Sequence, residues 1–305
     1  MKPRVVLLLQ PRTNLLDLGG VAQVFLEAKA QGLDITVEHC AMGDPIDTSI
    51  GLSFTGVSDF GKQRLQRGDH VFVISSDIQY VLSNRFQPSK ALLERLRDAH
   101  ERGVTICGIC NGVFLLGKAG LLDGRACTTH WKRTAQLQRM NPKAQVKENI
   151  LFVEDRGIIS SAGATSGVDV ALHVLARLKG EQFSFRISRE LIVYKRRNGS
   201  EAQHSVYLAS RNHMHTGIHR VQDWLQENLH RRTTLPELAE RANMSYRNFC
   251  RVFRRETSLT VLEYITLLRK ERINELLKQP DLSRQQIAQR CGLTSERHLS
   301  RMIAQ

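Results

Sequence analysis

Long apolar runs are missing from this sequence. The N-terminus, MKPRVVLLLQPR, opens with basic residues, but its apolar run stops at Leu9. That is too short for a signal-peptide core, and nothing later approaches the length of a membrane span. No membrane partner and a cytoplasmic location are therefore expected. Six cysteines, at 40, 107, 110, 127, 250 and 291, match neither a disulfide scaffold nor a two-pair zinc site. Scattered cysteines in a long chain fit a reducing compartment. No phosphate-binding glycine loop is present, and no metal or organic cofactor is expected. His213, His215 and His219 cluster, the last two four apart. Further ligands are lacking nearby, so they read as solvated side chains rather than a metal site. Acidic residues are the remaining shortage: 30 against 44 Lys and Arg, a formal net charge of +14. That balance points to an anionic partner, most often nucleic acid.

What is present divides in two. A chain of 305 residues has room for two cores. Over residues 1–180, short apolar runs alternate with helical patterns. Strands are expected at Arg4–Leu9, Asp34–Cys40, His70–Ile74 and Val104–Ile109, and helices at Leu16–Ala30, Ser89–Arg102, after Cys110 and at Thr165–Leu178. Fully apolar strands alternating with helices imply a parallel sheet covered on both faces. ILFVEDRGIISSAG reads as a hairpin about Glu154–Gly157 added to that sheet. Periodicity lapses over 198–215, which reads as a linker between a domain at 1–197 and another at 216–305. From Thr216 the pattern is entirely helical. Residues 211–305 carry 17 basic and 10 acidic side chains, half of the net excess.

This last segment holds two helix-turn-helix patterns. In TTLPELAERANMSYRNFCRVFRRE, Thr234 caps a helix that Pro236 can begin without losing a needed amide. Leu238 and Ala239 face inward, Asn243-Met244 turns, and Ser245 caps a second helix. Phe249 and Phe253 lie four apart on its inner face, while Arg247, Asn248, Arg251 and Arg254 face out. Such a face suits a DNA major groove, where Arg pairs with guanine and Asn with adenine, and both also hold phosphates. LSRQQIAQRCGLTSERHLSRMIAQ repeats the pattern, with Ser283 and Ser295 as caps, Gly292 in the turn, Leu299 inward and Arg297, His298 and Arg301 outward. A helix over Val261–Lys278 spaces the two. The stretch LAERANMSYRNFCRVFRRETSLTVLEYITLLRKERINELL resembles the AraC/XylS regulator family. It departs from that pattern at Ser258 and Val261, where the family has glycine and proline. The chain also ends at Gln305, within the second recognition helix, so a weakened second unit is expected.

The other half turns on Gly108-Ile109-Cys110-Asn111-Gly112. An apolar strand ends, a sharp turn follows and a helix begins, as in a nucleophile elbow with sulfur in place of oxygen. Backbone amides and the helix dipole there favour thiolate. GICNGVFLLGKAGLLDGRACTTHW resembles the ThiJ/PfpI family, which is glutamine amidotransferase-like, in the branch fused to AraC-type tails. The resemblance covers about residues 4–195 and implies a flavodoxin-like α/β domain. It implies Asp17 as the carboxylate that approaches the cysteine and His130 as the histidine after the elbow. Enzymes of the family end the third core strand in Pro-Gly-Gly; here Ile74-Ser75-Ser76 stands instead. If that backbone needs φ > 0, serine fits poorly. The fused branch has proline and glutamate after the aspartate, where this chain has Val21 and Gln23.

These features converge on an α/β parallel-sheet domain followed by an all-α domain with two helix-turn-helix units. The expected function is sequence-specific binding of double-stranded DNA by a homodimeric transcription regulator, with RNA polymerase as a candidate partner and the nucleoid as its place. A pocket of Asp17, Ser75, Ser76, Cys110, Asn111 and His130 is expected to hold a small effector. The resemblance suggests a nitrogen-containing or amino-acid-derived molecule. Catalysis is not expected. A cysteine-dependent hydrolase and a thiol redox sensor using Cys107 and Cys110 are the competing readings.

Overall fold

The computed structural model describes residues 3–304 except 44, 164, 194–196, 202, 204, 278 and 280. The chain forms two compact units, 1–203 and 204–305. In the first, seven strands make one sheet: β1 Arg4–Leu8, β2 Thr36–Ala41, β3 Ser58–Asp59, β4 His70–Val73, β5 Thr105–Ile109, β6 Phe152–Asp155 and β7 Ile158–Ser161. Their order is β6-β7-β5-β4-β1-β2-β3. Every pairing is parallel except β6 with β7, the expected hairpin. β1, β4 and β5 are mostly apolar, and β7 is buried along its length, because both their faces are covered. Val5, Leu7, Phe72, Cys107 and Ile109 pack on one side, against α1 (Leu15–Ala30) and the later helix Thr165–Lys179. Val6, Leu8, Val71, Val73 and Ile106 pack on the other, against α2 (Lys90–Glu101) and α3 (Val113–Lys118).

Register decides what meets at the carboxyl end of the sheet. Leu8 lies opposite Val73, Val73 opposite Gly108, and Ser161 opposite Ile109. The residues that follow therefore leave the sheet side by side: Pro11, Ser76, Asn111 and Gly163. In parallel α/β sheets this edge is where ligands bind. Beyond it run α4 (Thr165–Lys179) and an amphipathic α5 (Glu181–Glu190) that packs on α4 through Phe183 and Ile187. α5 and the two-residue β3 were not expected from sequence.

The second unit is helical: α6 Thr216–Asn228, α7 Leu235–Arg241, α8 Tyr246–Thr257, α9 Val261–Leu276, α10 Arg284–Arg290 and α11 Glu296–Ala304. Two cores form. Ile218, Leu238, Phe249, Phe253, Tyr264 and Leu268 fill the first. Ile273, Leu276, Ile287, Cys291 and Leu299 fill the second. α9 serves both, its first turns in one core and its last in the other. Capping boxes start α7 (Thr234 with Glu237), α9 (Thr260 with Glu263) and α10 (Ser283 with Gln286). Ser295 Oγ accepts the His298 amide at 3.2 Å. Ser245 stands at the N-cap of α8 but makes no capping hydrogen bond through its side chain, which corrects the expectation for it. The stretch read as a linker is partly structured. Residues Val206–Ala209 form a helical turn, Tyr207 donates to Asp223 of α6 at 2.5 Å, and Arg211 pairs with the same carboxylate. α11 forms with Leu299 fully buried; Gln305 lies outside the described residues.

Ser258, where the related pattern has glycine, ends α8 at φ 62°, ψ 7°, the left-handed region. A side chain there costs about 1 kcal/mol or more. Ser258→Gly is expected to stabilise the helical unit by about 1 kcal/mol, read as a higher denaturant midpoint at unchanged slope. An unchanged or lower midpoint would show that the hydroxyl contributes more than the backbone strain removes.

Candidate functional site

The elbow forms as its residues require. β5 ends at Ile109, Cys110–Gly112 make one tight turn, and α3 begins at Val113. Cys110 takes φ 52°, a conformation that costs a non-glycine residue energy and marks functional turns. Its side chain is half-buried. A Cβ on Gly112 would sit 2.2 Å from the Val73 carbonyl oxygen, so only glycine lets the turn approach β4. Gly163, at φ 99°, is pressed on the cysteine itself; a Cβ there would lie 2.3 Å from Sγ. The sheet register explains this, since Cys110 and Gly163 leave paired strands within one residue of the same level.

Hydrogen bonds then draw in the neighbouring loops. Thr129 Oγ1 donates to the Cys110 carbonyl at 2.9 Å. Asn111 Nδ2 donates to the Ser76 carbonyl at 3.0 Å. Ser76 Oγ donates to the Pro11 carbonyl. The Ser75 carbonyl accepts the Asn14 amide at 2.9 Å. Asn14 is the N-cap of α1, whose first turn carries the buried Asp17. Ser75 and Ser76 are both fully buried. Neither has a positive φ, so the strand end does not demand glycine and the objection raised from sequence falls. His130 follows Thr129; its Nδ1 accepts the Lys132 amide at 3.3 Å, and its ring stacks on Trp131 at 5.6 Å. Cys110, Asn111 and Ser76 are thus brought together directly, and Asp17 and His130 stand on the segments that flank them.

Two alternatives can be placed. Cys107 lies in β5, fully buried, and burial pushes its thiol well above the ordinary range. None of the six cysteines is in a disulfide. The His213 and His219 rings lie 4.4 Å apart, tilted by 35°, and burial, then His219, lowers His213. Among the described residues no group of three or more His, Cys, Asp or Glu could hold a metal ion. Beside the elbow lies a cavity of about 370 Å³, lined by Leu9, Pro11, Met42, Tyr80, Phe86 and Leu92 among others. None of the six residues expected of an effector pocket lines it; its link to the elbow runs through Pro11, whose carbonyl takes the Ser76 hydroxyl, and the Ser76 carbonyl, which takes Asn111.

In the helical unit, the inner face of α8 is closed by Phe249 and Phe253, both fully buried and in edge contact at 5.7 Å. Arg247, Arg251 and Arg254 are exposed, and Asn248 is half-buried. Arg251 Nη2 donates to Asn248 Oδ1 at 2.9 Å, which links the two side chains. Asn243 forms the turn before α8 at φ 57°, and Gly292 the equivalent turn before α11 at φ 65°. On α11, Arg297 and Arg301 are exposed, with His298 half-buried beside them.

Residues 3–177, more than half the chain, match the DJ-1/PfpI family. The chain belongs to the DJ-1/PfpI family. This DJ-1/PfpI member also carries a helix-turn-helix domain, matched over 238–305. It is similar to the HTH-type transcriptional regulator CdhR of Pseudomonas aeruginosa, with 31% identity over 265 residues, 86% of this chain and 75% of that one. The HTH-type transcriptional regulator GlxA of Rhizobium meliloti is 30% identical over 67% of this chain and 63% of its own length. Isonitrile hydratase of Pseudomonas putida is 32% identical over 88 residues, 29% of this chain and 37% of the enzyme. A solved ThiJ/PfpI family protein from Pseudomonas syringae shares the fold at TM-score 0.55 and 22% identity, over 68% of this chain and 80% of that one.

Within this DJ-1/PfpI chain, sequence reasoning missed Thr129, which ties the histidine loop to the elbow. It also missed Gln203 and Arg197, described below. A threonine or glutamine in a loop carries no pattern of its own; Thr129 is placed by its bond to the Cys110 carbonyl and by the Thr128 amide, which donates to Ser160 Oγ at 2.9 Å.

Proposed function

We propose that this chain is a sequence-specific DNA-binding transcription regulator whose DJ-1/PfpI unit senses a small effector at the Cys110 elbow. The observation that carries the DNA-binding reading is the outer face of α8, three exposed arginines and an arginine-linked Asn248 over an aromatic inner face. The similarity to CdhR and GlxA supports regulation of transcription as the purpose. The effector class suggested by the family likeness is nitrogen-containing or amino-acid-derived. Homodimerisation, contact with RNA polymerase and a cytoplasmic, nucleoid-bound location belong to the same proposal. Ligand binding acts by favouring one arrangement of the DNA-binding units over another.

The test is to recover genomic DNA fragments bound by the full chain. A shared sequence among them is the expected result. Similar affinity for unrelated duplexes would instead mark a general DNA scaffold. The competing hydrolase reading rests on the strained, half-buried Cys110 and on the isonitrile hydratase similarity. Turnover of an amide, nitrile or isonitrile that Cys110→Ser abolishes would establish it. Selective DNA binding retained in Cys110→Ser, with no such turnover in the parent, supports the sensor.

A further inference from the structure

The segment that leaves the first unit is fastened to both loops that frame Cys110. Arg197 spans the buried Asp169 of α4: its amide donates to Oδ1 at 3.1 Å, Nε to Oδ2 at 3.0 Å and Nη2 to Oδ2 at 2.7 Å. Nη2 also donates to Thr165 Oγ1 at 2.8 Å, two residues past Gly163. Burial raises the Asp169 carboxyl, and the Arg197 charge opposes that. Next, the Gly199 carbonyl accepts the amides of Leu151 and Phe152 at 2.8 and 3.1 Å. A Cβ on Gly199 would lie 2.5 Å from the Phe152 carbonyl, so this approach needs glycine.

Gln203 then closes the run. Its Oε1 accepts the Trp131 amide at 2.7 Å, and its Nε2 donates to the carbonyls of Thr129 at 2.9 Å and Ile150 at 2.8 Å. Thr129 is the residue whose hydroxyl holds the Cys110 carbonyl. Gln203 is also the last residue of the first unit. One side chain thus bonds the loop over the elbow at the point where the chain departs for the DNA-binding unit.

We infer that 197–203 is a coupling strap, with Gln203 and Arg197 as positioning residues that read the state of the Cys110 site and pass it to the following unit. The inference deepens the sensing role proposed above. A molecule seated at the elbow meets Thr129 and Gly163 beside Cys110, and the strap holds Thr129 through Gln203 and Thr165 through Arg197. Arg197 answers to one loop and Gln203 to the other. Coupling between two sites is reciprocal, so loosening the strap must also loosen the elbow by the same free energy.

That reciprocity gives a test on the full chain that needs neither effector nor operator. Iodoacetamide serves as the probe of Cys110, with its modification followed at the peptide level by mass spectrometry. In the wild type, alkylated Cys110 is expected to speed backbone hydrogen exchange in peptides spanning 197–203 by about threefold or more. Conversely, Gln203→Ala is expected to raise the alkylation rate of Cys110 by about threefold or more, since two or three hydrogen bonds to the loop are lost. Gln203→Glu places a charge against two carbonyls and should do so at least as strongly. A purely structural role would lower the melting temperature without a local exchange change on alkylation. Exchange over 197–203 that is indifferent to alkylation overturns the proposal, and this arm stands even if the Gln203 variants do not fold. Loss of effector sensing with the coupling intact would strike the proposed function and leave the strap.

Discussion

Replacing Arg251 by alanine is expected to weaken specific DNA binding by about 1–3 kcal/mol, five- to 150-fold, if its guanidinium reads a base. The same holds for Arg247, one turn earlier on the exposed face of α8. If either contacts phosphate instead, the loss falls equally on all duplexes, and the slope of log K against log salt shrinks by about one. Titrations at several salt concentrations, with specific and unrelated duplexes, separate the two outcomes. Arg251 shares a hydrogen bond with Asn248, so Asn248→Ala and Arg251→Ala should combine to less than their sum. Arg272 is a suitable control, because it lies on α9 and is paired with Glu275 at 2.9 Å. Binding that is untouched in both Arg247→Ala and Arg251→Ala would remove α8 from the recognition role.

The second large effect belongs to Gly163→Ala. The added methyl would stand 2.0 Å from the Cys110 Cβ and 2.3 Å from its sulfur, on a backbone at φ 99°. Neither partner can yield cheaply, because Cys110 follows a strand paired in register with the one before Gly163. Overpacking with a strained φ is expected to cost about 2–4 kcal/mol. That corresponds to a fall of about 5–15 °C in the melting of the first unit. Cys110→Gly should rescue part of the loss, since it removes both clashing atoms and relieves φ 52° at the elbow. A melting temperature unmoved by Gly163→Ala would mean that the two residues are not in contact in solution.

Much of the architecture could be read from residue patterns. β1, β4 and β5 are mostly apolar, and that signal exists only where both faces of a sheet are covered. Thr234, Pro236, Phe249 and Phe253 announce their helices through caps and periodicity. The two-residue β3 and the turn at Val206–Ala209 are too short to leave a period. The elbow was legible because its glycines are forced by close approach. The assembly around it was not, because Gly163 reaches Cys110 through strand register, and Thr129 and Gln203 join through long-range hydrogen bonds, and spacing along the chain carries no trace of either. The expected difficulty at Ser75-Ser76 failed for a related reason. A glycine pair elsewhere in the family does not fix the φ that this chain adopts, and here the serines sit in ordinary backbone with their carbonyls taken by Asn14 and Asn111.

Because α9 is shared by two cores, it acts as a ruler with an angular scale. Each residue added to it would advance the second core by about 1.5 Å and turn it by about 100°. A base pair on DNA advances by about 3.4 Å and turns by roughly 35°. The two screws have no small common multiple, so no simple shift of the bound sequence compensates a change in the helix. In the proposed function, where both helix-turn-helix units contact DNA, the length of α9 constrains the phase between the two segments, whatever bases they contain. An operator of the proposed regulator would then be defined by its helical phasing as much as by its letters.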